Sequence, residues 1–223
     1  GALAHMHPQH LAATVLKAIA ERNRLDTATV DDVIWSTSSQ DGKQGGDLGR
    51  MAALDAGYDV TSSGMTLDRF CGGGITSVNL AAAQVMSGMA ECVVAGGTEM
   101  MSLTAEQTKA KMQAGIEPPR MGSGNARLQE RHPQSHQGVC GDAIASMEGF
   151  TRQELDEVGY RSQQRAAKAI AEGRFDKSVV PVVDEEGNTI LAQDEFPRPQ
   201  TTMETLAQLE PAFSKLADVP LDK

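Results

Sequence analysis

The segment MTLDRFCGGGITSVNLAAAQVMSGMAECVVAGG, residues 65–97, constrains the fold of this chain more than any other. MTLDRF reads as a short strand that breaks at CGGG. Ile75, Val78, Ala82, Val85 and Met89 then recur at helical spacing, and ECVVAGG is a short apolar run closed by glycines. Strand, helix and strand with tight connections predict a crossover unit, and therefore a mostly parallel sheet covered by helices. The helix is apolar on nearly every side, so it is expected to be buried.

The flanking sequence supplies elements around this unit. From Pro8, suited to a first helical turn, Leu11, Val15, Leu16 and Ile19 predict an amphipathic helix ending near Asn23. Val33, Ile34 and Trp35 read as a buried strand running into the glycine-rich DGKQGGD, and a helix over 48–56 should stop at Gly57. After Ser102 the stretch EQTKAKMQAGIEPPRMGSGNARLQERHPQSHQG is polar and has no sustained period, which predicts a loop-rich insertion. Thr151 and Glu154 form a T-x-x-E capping box opening a helix that should end at Gly173. SVVPVVDEEGNTILAQDEF predicts a hairpin, and TTMETLAQLEPAF one last short helix. The chain enters a helix with no preceding strand and stops at ADVPLDK without a completed element, so both ends are expected to be cut.

Charge and cysteine content exclude several function classes. A net charge of -10 provides no basic field for nucleic acid or a membrane surface. No apolar run approaches the roughly 20 residues that span a bilayer, and no signal peptide opens the chain. Three widely spaced cysteines support neither a disulfide framework nor a metal site. His5, His7 and His10 lack supporting ligands, so no metal is expected. The reading is a cytoplasmic protein.

Cys71 sits where a strand turns sharply into a helix, a place where the helix dipole and free amides favour a thiolate. Gly72, Gly73 and Gly74 admit backbone angles closed to other residues, leave the approach to sulfur open, and let the Cys71 amide face an oxyanion. The competing reading is a buried, inert thiol, and the local pattern leaves both open. Cys92, inside an apolar strand, reads as packing.

The run DRFCGGGITSVNLAAAQVMSGMAECVVAGGTEMMS resembles the thiolase segment that carries the reactive cysteine, its helix and the following AGG-x-E-x-MS strand. QGGDLGRMAALDAGYD upstream, and EGFTRQELDEVGYRSQQRAAKAIAEGRFDKSVVPV with DEFPRPQTTMETLAQLEPAF downstream, extend the similarity over nearly the whole chain. The resemblance implies an α/β protein with a thiolase-like layered α/β/α fold, in which residues 1–103 form the N-terminal half, 104–223 an inserted α+β loop domain that binds coenzyme A, and the C-terminal half is absent. It implies acyl transfer through Cys71 between a 3-ketoacyl thioester and coenzyme A, in a homodimer or homotetramer, with coenzyme A and acyl-CoA as substrates and no resident cofactor. His136 falls where thiolases place a histidine beside the pantetheine arm, although the segment here reads HQG rather than HMG, and Arg198 matches an arginine lying against the adenine nucleotide. Cys140 stands near a point where thiolases carry a small hydroxyl residue and is read as structural, as is Glu99.

The family's GHP histidine, its second reactive cysteine and its NEAF asparagine have no counterpart in these residues, which predicts that the 223-residue polypeptide is inactive alone. Two rivals remain open: a ketoacyl-synthase-type condensing enzyme, disfavoured by the long loop domain, and a non-catalytic thiolase-like subunit that binds coenzyme A or scaffolds a partner, disfavoured by the intact CGGG.

Overall fold

The computed structural model describes residues 1–116 and 124–216. These divide into two compact units, Gly1–Ala114 with Val179–Gln193, and Gly115–Ser178 with Asp194–Lys223.

The first unit is built on a three-stranded parallel sheet. Strand β1 (Asp32–Ser36) lies at its centre, flanked by β2 (Met65–Leu67) and β3 (Val93–Gly97). Register pairs Trp35 with Thr66 on one side and with Gly96 on the other. Period-two alternation divides β1 between two faces. Val33 and Trp35 join Ala12, Leu16, Leu48, Ala52, Ala53 and Tyr58 in one apolar core, beneath helices α1 (Pro8–Asn23) and α2 (Leu48–Asp55). Ile34 and Ser36 face the other way, toward helix α3 (Gly73–Ser87), so the unit is layered α/β/α as expected. The sheet is pinned across its ends: Asp31 accepts from the amides of Glu91 and Cys92 at 2.7 and 3.1 Å, and the Trp35 indole donates to Thr98 Oγ1 at 3.0 Å. The indole ring lies over Gly96, where a Cβ would come within 2.5 Å of it.

The predicted helices at 8–23, 48–56 and 151–173 form, with their punctuation. α1 starts at Pro8 behind His7, whose imidazole accepts from the Gln9 amide, and Gly57 follows α2 at φ +81°. The hairpin also forms, as β4 (Val182–Val183) against β5 (Thr189–Leu191), and groups with the first unit.

Two expectations need correction. The polar stretch after Ser102, read as loop-rich for want of a sustained period, contains helix α4 (Met101–Gln113) and helix α5 (Ala126–Arg131), while its residues 117–123 lie outside those described. Helix α3 is not buried on every side. Only Gly73, Ser77 and Ala81, spaced four apart, are buried, and the Ser77 hydroxyl bonds Gly96 O at 3.0 Å. This stripe of small residues brings the helix close to the sheet, and large residues that set its helical spacing are uncovered: Ile75 is 73%, Val78 55% and Met89 79% exposed.

The second unit, among the described residues, is helical. Helix α6 (Gln137–Glu148), missed in the sequence, precedes helix α7 (Arg152–Ala171) and helix α8 (Met203–Ala207). The capping box of α7 is complete: Thr151 Oγ1 accepts from the Glu154 amide at 3.3 Å, and the Glu154 carboxylate accepts from the Thr151 amide at 2.8 Å. Those hydrogen bonds, from the Thr151 amide first and its hydroxyl second, hold the Glu154 carboxyl below its ordinary range. Thr151→Ala should cost about 1 kcal/mol of stability, read as a lowered midpoint in chemical denaturation.

Candidate active site

The turn that carries Cys71 begins where β2 ends. Asp68 Oδ1 accepts from the Phe70 amide at 2.8 Å, and Phe70 is held at φ +46°, a left-handed conformation costly for a bulky residue. Phe70–Gly72 then make one 3-10 turn that leads into α3, and Thr76 fastens it by donating to Gly72 O at 3.0 Å. Cys71 is exposed on this turn, beside the N-terminal end of a 15-residue helix. The buried, inert thiol of the competing reading is not what this geometry presents.

The special backbone angles expected of the glycines are not found. Gly72 has φ -87° and Gly73 φ -60°, ordinary values open to any residue, and the unusual angle falls on Phe70 instead. Gly73 is needed for space: a Cβ there would lie 1.7 Å from Ser36 Oγ and 2.9 Å from Ser36 Cβ. A side chain at Gly74 would meet open space. Ser36, 6% exposed at the end of β1, is thus the seat on which the first residue of α3 rests. No local sequence signal links residues 36 and 73.

Cys71, Gly72 and Gly73 share this one turn, whereas His136 and Arg198 belong to the second unit. His136 is exposed and caps α6, its Nδ1 accepting from the Gly138 amide at 3.1 Å, with its ring tilted against Phe213 at 4.8 Å between centroids. Arg198 is exposed, and its backbone amide donates to Gln163 Oε1 at 2.7 Å. Cys140, half-buried in the first turns of α6, donates its amide to His136 O. Cys92 is half-buried against the apolar core. Glu99 follows β3 and accepts hydrogen bonds from the loop after β1.

Residues 1–219 match the profile of the family described as thiolase, N-terminal domain. An acetyl-CoA acetyltransferase of Escherichia coli (strain K12) is 37% identical, the match covering 98% of this chain and 57% of that protein. A 3-ketoacyl-CoA thiolase of Psychrobacter cryohalolentis is 33% identical over 96% of this chain and 53% of its own length. Among solved structures, the acetyl-CoA acetyltransferase of Bacillus anthracis superposes with a TM-score of 0.75 at 32% identity, covering 95% of this chain and 55% of that one. The chain therefore spans about half the length of these relatives.

Proposed function

We propose, from the premise that this chain belongs to the thiolase N-terminal domain family, that it provides the nucleophilic part of an acetyl-CoA C-acyltransferase. The carrying observation is the exposed Cys71 sulfur on a turn at the head of α3. In thiolysis the Cys71 thiolate attacks the 3-keto carbon of a ketoacyl-CoA. The bond between C2 and C3 breaks, its electron pair passes to C2, and a proton delivered there releases acetyl-CoA. The thiolate of a second coenzyme A then attacks the acyl-cysteine carbonyl, forming the shortened acyl-CoA and restoring Cys71. The same steps run backwards as a Claisen condensation.

In this reading Gly72 and Gly73 keep the approach to sulfur free of side chains. His136 lies beside the pantetheine arm, and Arg198 stacks on the adenine nucleotide, a task suited to a planar, permanently charged guanidinium. Coenzyme A is consumed and released as a substrate, so the chemistry requires no resident cofactor. Three free cysteines fit a reducing, cytoplasmic compartment, and a homodimer or homotetramer is the assembly proposed. No helix among the described residues is long and apolar enough to cross a membrane.

The test is direct observation of the intermediate. The complete protein exposed briefly to acetyl-CoA or a 3-ketoacyl-CoA, quenched in acid and digested, should carry one acyl group on the peptide containing Cys71, removable by added coenzyme A. An unmodified Cys71 peptide, or an acyl group found only on Cys92 or Cys140, would end this assignment.

A further inference from the structure

A polar cluster at the ends of β1 and β3 has no part in the acyl transfer described above. Glu99 Oε2 accepts from Thr37 Oγ1 at 3.1 Å and from the Ser38 amide and hydroxyl, both at 2.6 Å, while Glu99 Oε1 accepts from Gln44 Nε2 at 2.9 Å. Gln44, 1% exposed, also donates to Thr37 Oγ1 and Ser39 O, each at 3.0 Å, and its own oxygen accepts from the Met100 amide at 2.7 Å. Burial acting alone would raise the Glu99 carboxyl, but the hydrogen bonds from Gln44, Ser38 and Thr37 together outweigh it and hold the group below its ordinary range.

This cluster is connected to the nucleophile by two consecutive residues, Ser36 at the end of the central strand and Thr37 just after it. The Thr37 amide donates at 3.1 Å to the carbonyl of Leu67, the last residue of β2 before the chain turns to Cys71. Its neighbour Ser36 is the seat of Gly73 on the far side of the same turn. The turn is thus held at both ends by positions 36 and 37, and the Thr37 side chain is fixed by Glu99 and Gln44. Thr37 is 2% exposed and therefore has no water to substitute for these partners.

We propose that Glu99 is a positioning residue: acting through Thr37, it fixes the end of β1 and so sets where the Cys71 sulfur stands relative to the acyl carbon. It touches no substrate. The inference rests on the reading of Cys71 as the acyl acceptor and deepens it. A carboxylate is required because both of its oxygens accept. The isosteric Glu99→Gln can accept on one side only, so its amide nitrogen must face either the Ser38 and Thr37 donors or the Gln44 amide nitrogen.

The effect should appear in turnover rather than in affinity, because small displacements of a reacting group cost rate steeply. In the complete protein, Glu99→Gln is expected to lower kcat for thiolysis about ten-fold or more, with KM for both thioester and coenzyme A within about two-fold of the parent. Alkylation of Cys71 by iodoacetamide at fixed pH should slow in parallel. Thr37→Val should act in the same direction, and the double variant should fall no further than the worse single change, since both remove one link. Parental kcat and labelling in Glu99→Gln, a loss seen in KM instead of kcat, or additive losses in the double variant would overturn the inference. If Glu99→Gln fails to fold, Thr37→Val, which removes only the hydroxyl from the link, decides the question by the same readings. An absence of thiolysis in the parent would count against the acyl-transfer reading alone, and the labelling rates would still decide whether Glu99 positions Cys71.

Discussion

Cys71→Ser in the complete protein should abolish turnover of ketoacyl thioesters, with kcat reduced at least about a thousand-fold. The hydroxyl that replaces the thiol is far less acidic and a weaker nucleophile, and a helix terminus that favours a thiolate is far too weak to ionise an alcohol. The substitution is nearly isosteric at an exposed position, so the variant should fold and melt as the parent does. Steady-state thiolysis alongside a thermal melt checks both halves of the expectation. A Cys71→Ser protein as fast as its parent would remove the nucleophile from the mechanism altogether.

Gly73→Ala should destabilise the first unit. In an unconstrained helix the change would favour folding, by up to about 1 kcal/mol. Here the added Cβ would overlap Ser36 Oγ, and Ser36 is held in the sheet by the β1 ladder and by its carbonyl, which accepts from the Thr98 amide, so it has little room to retreat. The net result should be a loss of about 1–3 kcal/mol, measured by chemical denaturation, with a fall in thiolysis because the turn carrying Cys71 must shift. Ser36→Ala should restore most of the stability in the double variant, since it removes the closer atom and leaves a 2.9 Å carbon overlap that a small displacement relieves. If Gly73→Ala alone is neutral, or if Ser36→Ala gives no rescue, the seat described here is not the reason for the glycine. Gly74→Ala, which meets open space, is the matched control.

The elements legible in the sequence were those whose residues carried both a period and a stop. α1 and α7 show this: Pro8 behind a nitrogen acceptor and Thr151 with Glu154 satisfy the first amides locally, and a few residues suffice to announce them. α4 was illegible because none of its residues is buried, so its sequence carries no apolar stripe to distinguish it from a polar loop. α6 was hidden by two glycines and by a histidine acting as its cap, a task usually marked by Ser, Thr, Asp or Asn. At the site, the exposed Cys71 turn was legible because strand, cysteine, glycines and helix are contiguous. The support beneath it was not, because Ser36, Thr37 and Gln44 meet Gly73 and Glu99 across long stretches of chain, and only the folded sheet places them together. Period alone could not pick out a face of α3: a helix apolar on nearly every side suggested burial all round, yet close packing on a sheet selected only its smallest residues.

That reversal on α3 has a bearing on how tolerant its positions will look. Changes at Gly73, Ser77 or Ala81 are felt at once by the sheet they rest on, whereas polar replacements at Met86 or Val78 alter little that this chain itself buries. A survey scoring only whether the polypeptide folds would therefore rank half of the helix as dispensable. The apolar character of those dispensable-looking positions is thus not accounted for by what this chain buries on its own sheet.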